Sequence, residues 1–248
     1  MIEVQSLYKT FKSGKSVVKA VDGVSFTAED GRITGLLGPN GAGKTTTLRM
    51  LYTLMRPESG SVQVDGLDIT HAADRVRRAL GVLPDARGVY KRLTARENIA
   101  YFGRLHGMSE QAIAQATTRL VAALEMQDFI DRPSEGFSQG QRTKTAIARA
   151  LVHGPKNVIL DEPTNGLDVM TTRGLRAFLQ ELRAQGHCVI FSSHIMQEVA
   201  ALCDRIVVIA RGRVVADGSA EELRAQTGET NLEDAFVKLI GSEEGLAA

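Results

Sequence analysis

Apolar and polar positions change period along the chain. In the first third they alternate. "EVQSLYKTF" and "KAVDGVSFTAEDG" carry apolar residues at period two, broken by Gly and Asp-Gly turns, and predict strands. Arg32 to Leu37, "RITGLL", is a short apolar run that stops at a glycine-rich loop. "TTTLRMLYTLM" follows at helical spacing and predicts a helix ended by Arg56-Pro57-Glu58-Ser59-Gly60. "SVQVDGLDI" predicts a further strand and turn. From about Thr94 to Met126 the period is helical, in "TARENIAYFGRLHG" and "SEQAIAQATTRLVAALEM". Thr94 and Glu97 have capping-box spacing at the first of these starts, and Ser109 lies near the second.

The last third returns to strand–helix alternation. "NVILD", "HCVIFSS" and "DRIVVIARG" are apolar strands, separated by helices at Val169 to Ala184 and in "IMQEVAALC". Short apolar strands alternating with helices imply a parallel sheet with helices on its faces. "GRVVADGSAEEL" predicts a hairpin strand leading to a helix, and the tail "GSEEGLAA" is expected to fray. The chain therefore predicts an α/β fold: a parallel sheet, an N-terminal antiparallel β portion, and a helical insert between two α/β portions.

Composition narrows the function classes. The chain has 248 residues, 43% hydrophobic and 24% charged, enough to bury a sizeable core. A net charge of +1 gives no strong field toward nucleic acid or an anionic membrane, so no nucleic-acid partner is expected. Anion binding must come from local geometry. Two cysteines, Cys188 and Cys203, are too few for a disulfide framework and are expected to be buried thiols. The N-terminus lacks an apolar signal core, and no run approaches a membrane span. The chain is therefore expected to be cytoplasmic, which leaves room for a membrane partner.

The candidate chemistry begins at "GPNGAGKT", Gly38 to Thr45, which fits G-x-x-x-x-G-K-[ST] after a strand and before a helix. Such glycines let backbone N–H groups turn around an anion, and the helix N-terminus adds partial positive charge. Lys44 is expected to reach the β- and γ-phosphates, and the Thr45 hydroxyl to ligate Mg2+. "NVILDEP" supplies the matching carboxylates. Asp161 ends an apolar strand where a parallel sheet opens onto its ligand crevice, and is expected to hold Mg2+ through water. Glu162 is placed to orient or deprotonate the attacking water. His194, in "VIFSSH", also lies just past a strand end and is expected to bond the γ-phosphate.

"GPNGAGKT", "FSQGQ", "VILDEP", "NGLD" and "SSH" occur in the order, and near the spacings, of an ABC-type ATPase, and over about residues 2 to 220 the chain resembles that family. "LPDARGVYKRLTARENIAYFG", "GLDVMTTRGLR" and "SSHIMQEVAALCDRIVVIARGRVVADG" resemble one branch, the ATP-binding subunits of ABC-2-type exporters, the sodium-extruding system especially. The resemblance implies the ABC ATPase fold, with a single domain over residues 1–220, a helical subdomain at about 86–150, and a C-terminal helical extension and tail over 221–248. It implies MgATP hydrolysis, two subunits head to tail with ATP between them (a homodimer in the ATP state), and a separate ABC-2-type integral membrane subunit.

Site roles follow from the same resemblance. Phe11 falls where an aromatic stacks on adenine. Gly38, Asn40, Gly41, Ala42, Gly43, Lys44, Thr45 and Thr46 would wrap the phosphates. Ser138, Gly140 and Gln141 would contact the γ-phosphate held by the opposite subunit, and Asp168 would sit at the dimer seam. Gln139 stands where the family usually has glycine, and Asp85 where a loop usually ends in a metal-ligating glutamine; an aspartate there could still reach Mg2+. Tyr90 and the cations Arg87, Lys91 and Arg92 could form the membrane subunit's docking surface. A soluble ABC ATPase acting on DNA or the ribosome fits less well, since one cassette is present without heptads or a basic patch. A regulatory module without turnover is disfavoured by Glu162.

Overall fold

The computed structural model describes residues 1–13, 16–86 and 88–241. Arg87 and most of the tail lie outside the described residues. Two sheets organise the chain. Strands β1 (Ile2–Ser13), β2 (Ser16–Ala28), β4 (Ser59–Val64) and β5 (Leu67–Asp68) form a four-stranded antiparallel sheet in the order β2-β1-β4-β5. Strands β3 (Ile33–Leu37), β6 (Leu80–Leu83), β7 (Asn157–Asp161), β8 (Cys188–Ser193), β9 (Arg205–Ala210) and β10 (Arg213–Gly218) form a six-stranded sheet in the order β10-β9-β3-β8-β7-β6. All its pairings are parallel except β10 with β9.

The parallel strands are apolar on both faces because both are covered. Ile33, Leu37, Val158, Leu160, Val189, Phe191, Ile206 and Val208 join one core cluster. Their alternates Leu36, Ile159, Ile190, Val207 and Ile209 join another. The second cluster is closed by Ile2, Val4, Val62 and Val64 of the antiparallel sheet and by Leu48, Met50 and Leu51 of helix α1 (Lys44–Leu51). Helix α1 is thus clamped between the two sheets. Each such fully buried Leu or Ile contributes roughly 1.5–3 kcal/mol, so the position of α1 is firmly set.

The first cluster takes its cover from α3 (Ala95–Leu105), α4 (Glu110–Ala123), α5 (Gln139–Leu151), α6 (Val169–Ala184), α7 (Met196–Leu202), α8 (Ala220–Thr227) and α9 (Leu232–Ile240). Helices α3, α4 and α5 pack on one another and form the helical insert. Thr94 and Glu97 make the predicted capping box, and the Ser109 hydroxyl caps α4 by accepting from the Ala112 N–H.

Two local features differ from the sequence expectation. The helix expected to reach Arg56 stops at Leu51, because Thr53 takes φ 64° and the N–H groups of Leu54 and Met55 both turn back to Arg49 O. Helix α2 (Ala73–Ala79) and strand β6 lie in a stretch the pattern did not divide. Both cysteines are free thiols; burial pushes Cys188 up to about 11. Among the described residues no helix is long and apolar enough to cross a membrane.

Candidate active site

Between β3 and α1 the chain turns through the glycine-rich loop. Gly43 takes φ 107°, and a Cβ there would lie 2.3 Å from Ala20 O of β2, so only glycine lets the loop pass. Gly43 is also the N-cap of α1 and offers no side chain to it, which leaves the first backbone N–H groups pointing into the loop. That is an anion cradle. Lys44 is 6% exposed; its Nζ donates to Gly38 O at 2.7 Å and Pro39 O at 3.3 Å, and lies 3.5 Å from Glu162 Oε1.

The strand ends supply the acids. Asp161 closes β7 and is fully buried. Its Oδ1 accepts from Ser192 Oγ at 2.6 Å and Thr45 Oγ1 at 3.4 Å, while Oδ2 is buried without a hydrogen-bond partner. Burial pushes this carboxyl up; the Ser192 and Thr45 hydroxyls pull it down, and the nearby Asp85 charge raises it again. Glu162 follows in the left-handed region at φ 48°, strain of about 1–3 kcal/mol for a non-glycine residue. Its N–H donates to Ser192 Oγ at 2.9 Å, and its Oε2 meets His194 Nδ1 at 2.9 Å. With Ala20, Pro39, Asn40, Gly41, Ala42, Thr46, Asp85 and Asn165, the residues Gly43, Lys44, Thr45, Glu162 and His194 line one cleft of about 460 Å³, and Asp161 lies buried behind Thr45.

The cleft suits a hard divalent cation. Thr45 Oγ1 and Asp161 are oxygen donors on adjacent elements, and a buried carboxylate oxygen without a partner is the group a metal or its water would satisfy.

The remaining candidate residues form a separate constellation. Ser138 caps α5 in a capping box: Ser138 Oγ accepts from Gln141 N–H at 3.2 Å, and Ser138 N–H donates to Gln141 Oε1 at 3.1 Å. Asp168 caps α6, accepting from Thr171 N–H at 2.9 Å and Thr171 Oγ1 at 2.7 Å. These bonds hold its carboxyl below the usual range. The two helix starts touch: a Cβ on Gly140 would meet Thr171 Cγ2 at 3.1 Å, and the Gln139 Cγ lies 3.5 Å from where a Gly166 Cβ would stand. Asp85 borders both the cleft and a hollow shared with Gln139, Arg142 and Gly166. Phe11 stands further out on the β1–β2 hairpin, 39% exposed, paired with Val18 and with Lys9 Nζ 6.0 Å from its ring. The structure thus gathers Lys44, Thr45, Asp161, Glu162, His194 and Asp85, and sets Ser138, Gly140, Gln141 and Asp168 apart from them.

Sequence reasoning missed the buried polar residues behind the cleft. Glu198 of α7 accepts from Thr164 Oγ1 at 2.5 Å and Ser193 Oγ at 3.2 Å, tying the loop after β7 to the loop carrying His194. Ser192 joins the two acids as described. The available signal was the pair of serines closing an apolar strand, where hydroxyls must find partners.

A phosphate loop, a strand-end carboxylate facing it, and a second carboxylate paired with an imidazole define a P-loop nucleotide hydrolase. The ABC transporter family's sequence profile matches residues 21–165. The chain is 42% identical to the ABC transporter ATP-binding protein NatA of Bacillus subtilis, over 97% of this chain and 98% of that protein. It is 39% identical to the Nod factor export ATP-binding protein I of Burkholderia lata, over 82% of this chain and 67% of that one. In fold it matches the ATP-binding cassette MJ0796, solved as a dimer in a post-hydrolysis state bound to ADP and Pi. That match has a TM-score of 0.81 and 25% identity, over 88% of this chain and 98% of that one. The chain belongs to the ABC transporter family: it is an ATP-binding cassette with the ABC ATPase fold, an ATPase that takes ATP with Mg2+.

Proposed function

We propose that this chain is the ATP-hydrolysing subunit of an ABC-type exporter, dimerising on MgATP to drive a separate ABC-2-type membrane subunit from the cytoplasmic face. The observation that carries the reading is the split between the two constellations. Lys44, Thr45 and Glu162 share one cleft, with Asp161 buried behind Thr45, while Ser138, Gly140, Gln141 and Asp168 do not line it. Two copies set head to tail bring one copy's second constellation to the other's nucleotide. The MJ0796 cassette, solved as a dimer, supports that arrangement.

In this reading the loop N–H groups and Lys44 hold the ATP phosphates, and Phe11 stacks on adenine. Thr45 and Asp161, the latter through water, would hold Mg2+, with Asp85 as a further candidate ligand. The ion, when bound, draws off charge that develops on the phosphoryl oxygens. Glu162 accepts the proton of the attacking water. Its Oε2 is already held by His194, so the base is aimed before substrate enters. His194 then lies where it can also bond the transferred phosphoryl group. Most of the rate comes from such preset electrostatics.

Residues 1–220 form the cassette, 86–150 its helical subdomain, and 221–248 an extension. The docking surface we assign centres on exposed Tyr90 and Tyr101, which meet edge to face at 5.3 Å, with the exposed cations Lys91 and Arg92 following Tyr90 in the chain. Export is supported by the name of the Nod factor relative. The sequence resemblance to the sodium-extruding branch makes Na+ the first cargo to test, ahead of drugs, lipids or polysaccharide precursors. The test has two arms. Glu162→Gln is expected to lower ATP turnover by about 100-fold or more while ATP still binds. Unchanged turnover removes Glu162 as the base. Na+ efflux from vesicles holding the reconstituted pair decides the cargo.

A further inference from the structure

Ser192 is wholly buried and is the cross-strand neighbour of Asp161 in the parallel register of β7 and β8. Its Oγ lies 2.6 Å from Asp161 Oδ1 and 2.9 Å from Glu162 N. A hydroxyl has one proton to give, an ionised carboxylate only accepts, and a backbone N–H only donates. The assignment is therefore forced: Ser192 donates to Asp161 and accepts from Glu162. One side chain commits Oδ1 of Asp161 inward, leaving Oδ2 without a partner. The same side chain anchors the backbone of Glu162 where it takes φ 48°. An extended backbone at Glu162 would turn its carboxylate away from Lys44 and His194, which it now meets at 3.5 Å and 2.9 Å.

We propose that Ser192 is a positioning residue for hydrolysis, setting the direction of the Glu162 carboxylate and the free oxygen of Asp161 with a single hydroxyl. The inference rests on the reading of Glu162 as base, which the Glu162→Gln arm above tests by itself.

Threonine and valine have the same shape and differ by the hydroxyl. Ser192→Thr and Ser192→Val therefore separate the hydrogen bonds from packing, and Ser192→Ala adds no volume. Turnover, KM for ATP, equilibrium binding of a fluorescent ATP analogue and thermal unfolding are measured for each. Valine and alanine are expected to lower kcat by about 10- to 100-fold, the worth of hydrogen bonds to charged groups, with ATP binding changed less than about 3-fold. Threonine is expected to recover most of the lost rate. In a Glu162→Gln background, Ser192→Ala is expected to lower single-turnover hydrolysis by a smaller factor than in the parent, because one of the two carboxylates it sets is already gone. Equal rates for the threonine and valine variants overturn the proposal. So does a loss carried wholly by ATP binding, an undiminished loss in the Glu162→Gln background, or failure of both the valine and alanine variants to fold, which would make the hydroxyl a requirement of folding rather than of hydrolysis.

Discussion

Gly140 shows how tightly single residues are specified. Its missing side chain is what lets the start of α5 lie on Thr171 of α6, whose hydroxyl and N–H are in turn held by Asp168. A methyl there meets Thr171 Cγ2 at 3.1 Å and Oγ1 at 3.2 Å, so Thr171 must give way by a few tenths of an ångström. Gly140→Ala is expected to destabilise by about 1 kcal/mol, the low end for overpacking, because the site is only half-buried. Chemical denaturation checks this, and adding Thr171→Ser, which removes Cγ2, is expected to restore part of the loss. The same variant is expected to weaken ATP-driven pairing more than ATP binding, since Gly140 lies outside the nucleotide cleft. Gel filtration with ATP, in the Glu162→Gln background, reads that difference.

At the scale of elements, the ends of α3 and α5 meet through stacked rings. His106 and His153 lie parallel within 5°, their centroids 3.6 Å apart. His153 Nε2 donates to Leu80 O, and its Nδ1 is buried without a partner. Burial first, and the neighbouring His106 second, push His153 down to about 4. Arg77, Arg78 and Arg149 beside the pair are all cations, and only the Leu80 carbonyl, accepting from Nε2, favours the protonated ring. The sign follows: below the ordinary histidine value of 6.5 the unfolded chain takes up a proton that the folded chain refuses until about 4. Stability is therefore expected to be full above pH 6.5 and to fall steadily between 6.5 and 4. His153→Phe, which keeps the stack but cannot titrate, is expected to flatten thermal melting over that window. A slope identical to the parent's would remove His153 as its source. This stack was not legible in the sequence, because the two histidines are far apart and each sits in an ordinary helical setting. The parallel strands and the phosphate loop were legible, because apolar runs ending at Gly38, Asp161 and His194 carry their own pattern. Helix α2 and β6 were not, because "ADRVRRALGVL" packs a seven-residue helix directly against a four-residue strand with no turn residue between them. Nor were Glu198 and Ser192, whose partners lie some 30 residues away in sequence, at Thr164 and Glu162.

Over the whole molecule, the proposed function needs two copies, because Ser138, Gly140, Gln141 and Asp168 do not line the cleft that Lys44, Thr45 and Glu162 line. Self-association is therefore expected to need ATP and to be seen most clearly when turnover is slow. With Glu162→Gln, light scattering is expected to report a dimer in ATP and a monomer in ADP. A monomer in both would end the head-to-tail reading. The strand order carries one more consequence. Strand β3, which leads into the phosphate loop, sits between β8 and β9, and its immediate neighbours are made some 150 residues after it. At roughly 5–20 residues per second, a ribosome leaves β3 without either flanking strand for about 8–30 s. During synthesis the nascent chain thus carries an apolar strand, "ITGLL", with both edges open, and cannot grip nucleotide until most of its length has emerged. ATP can assist only the last stage of folding, and the earlier interval is when a holding chaperone has the most to protect.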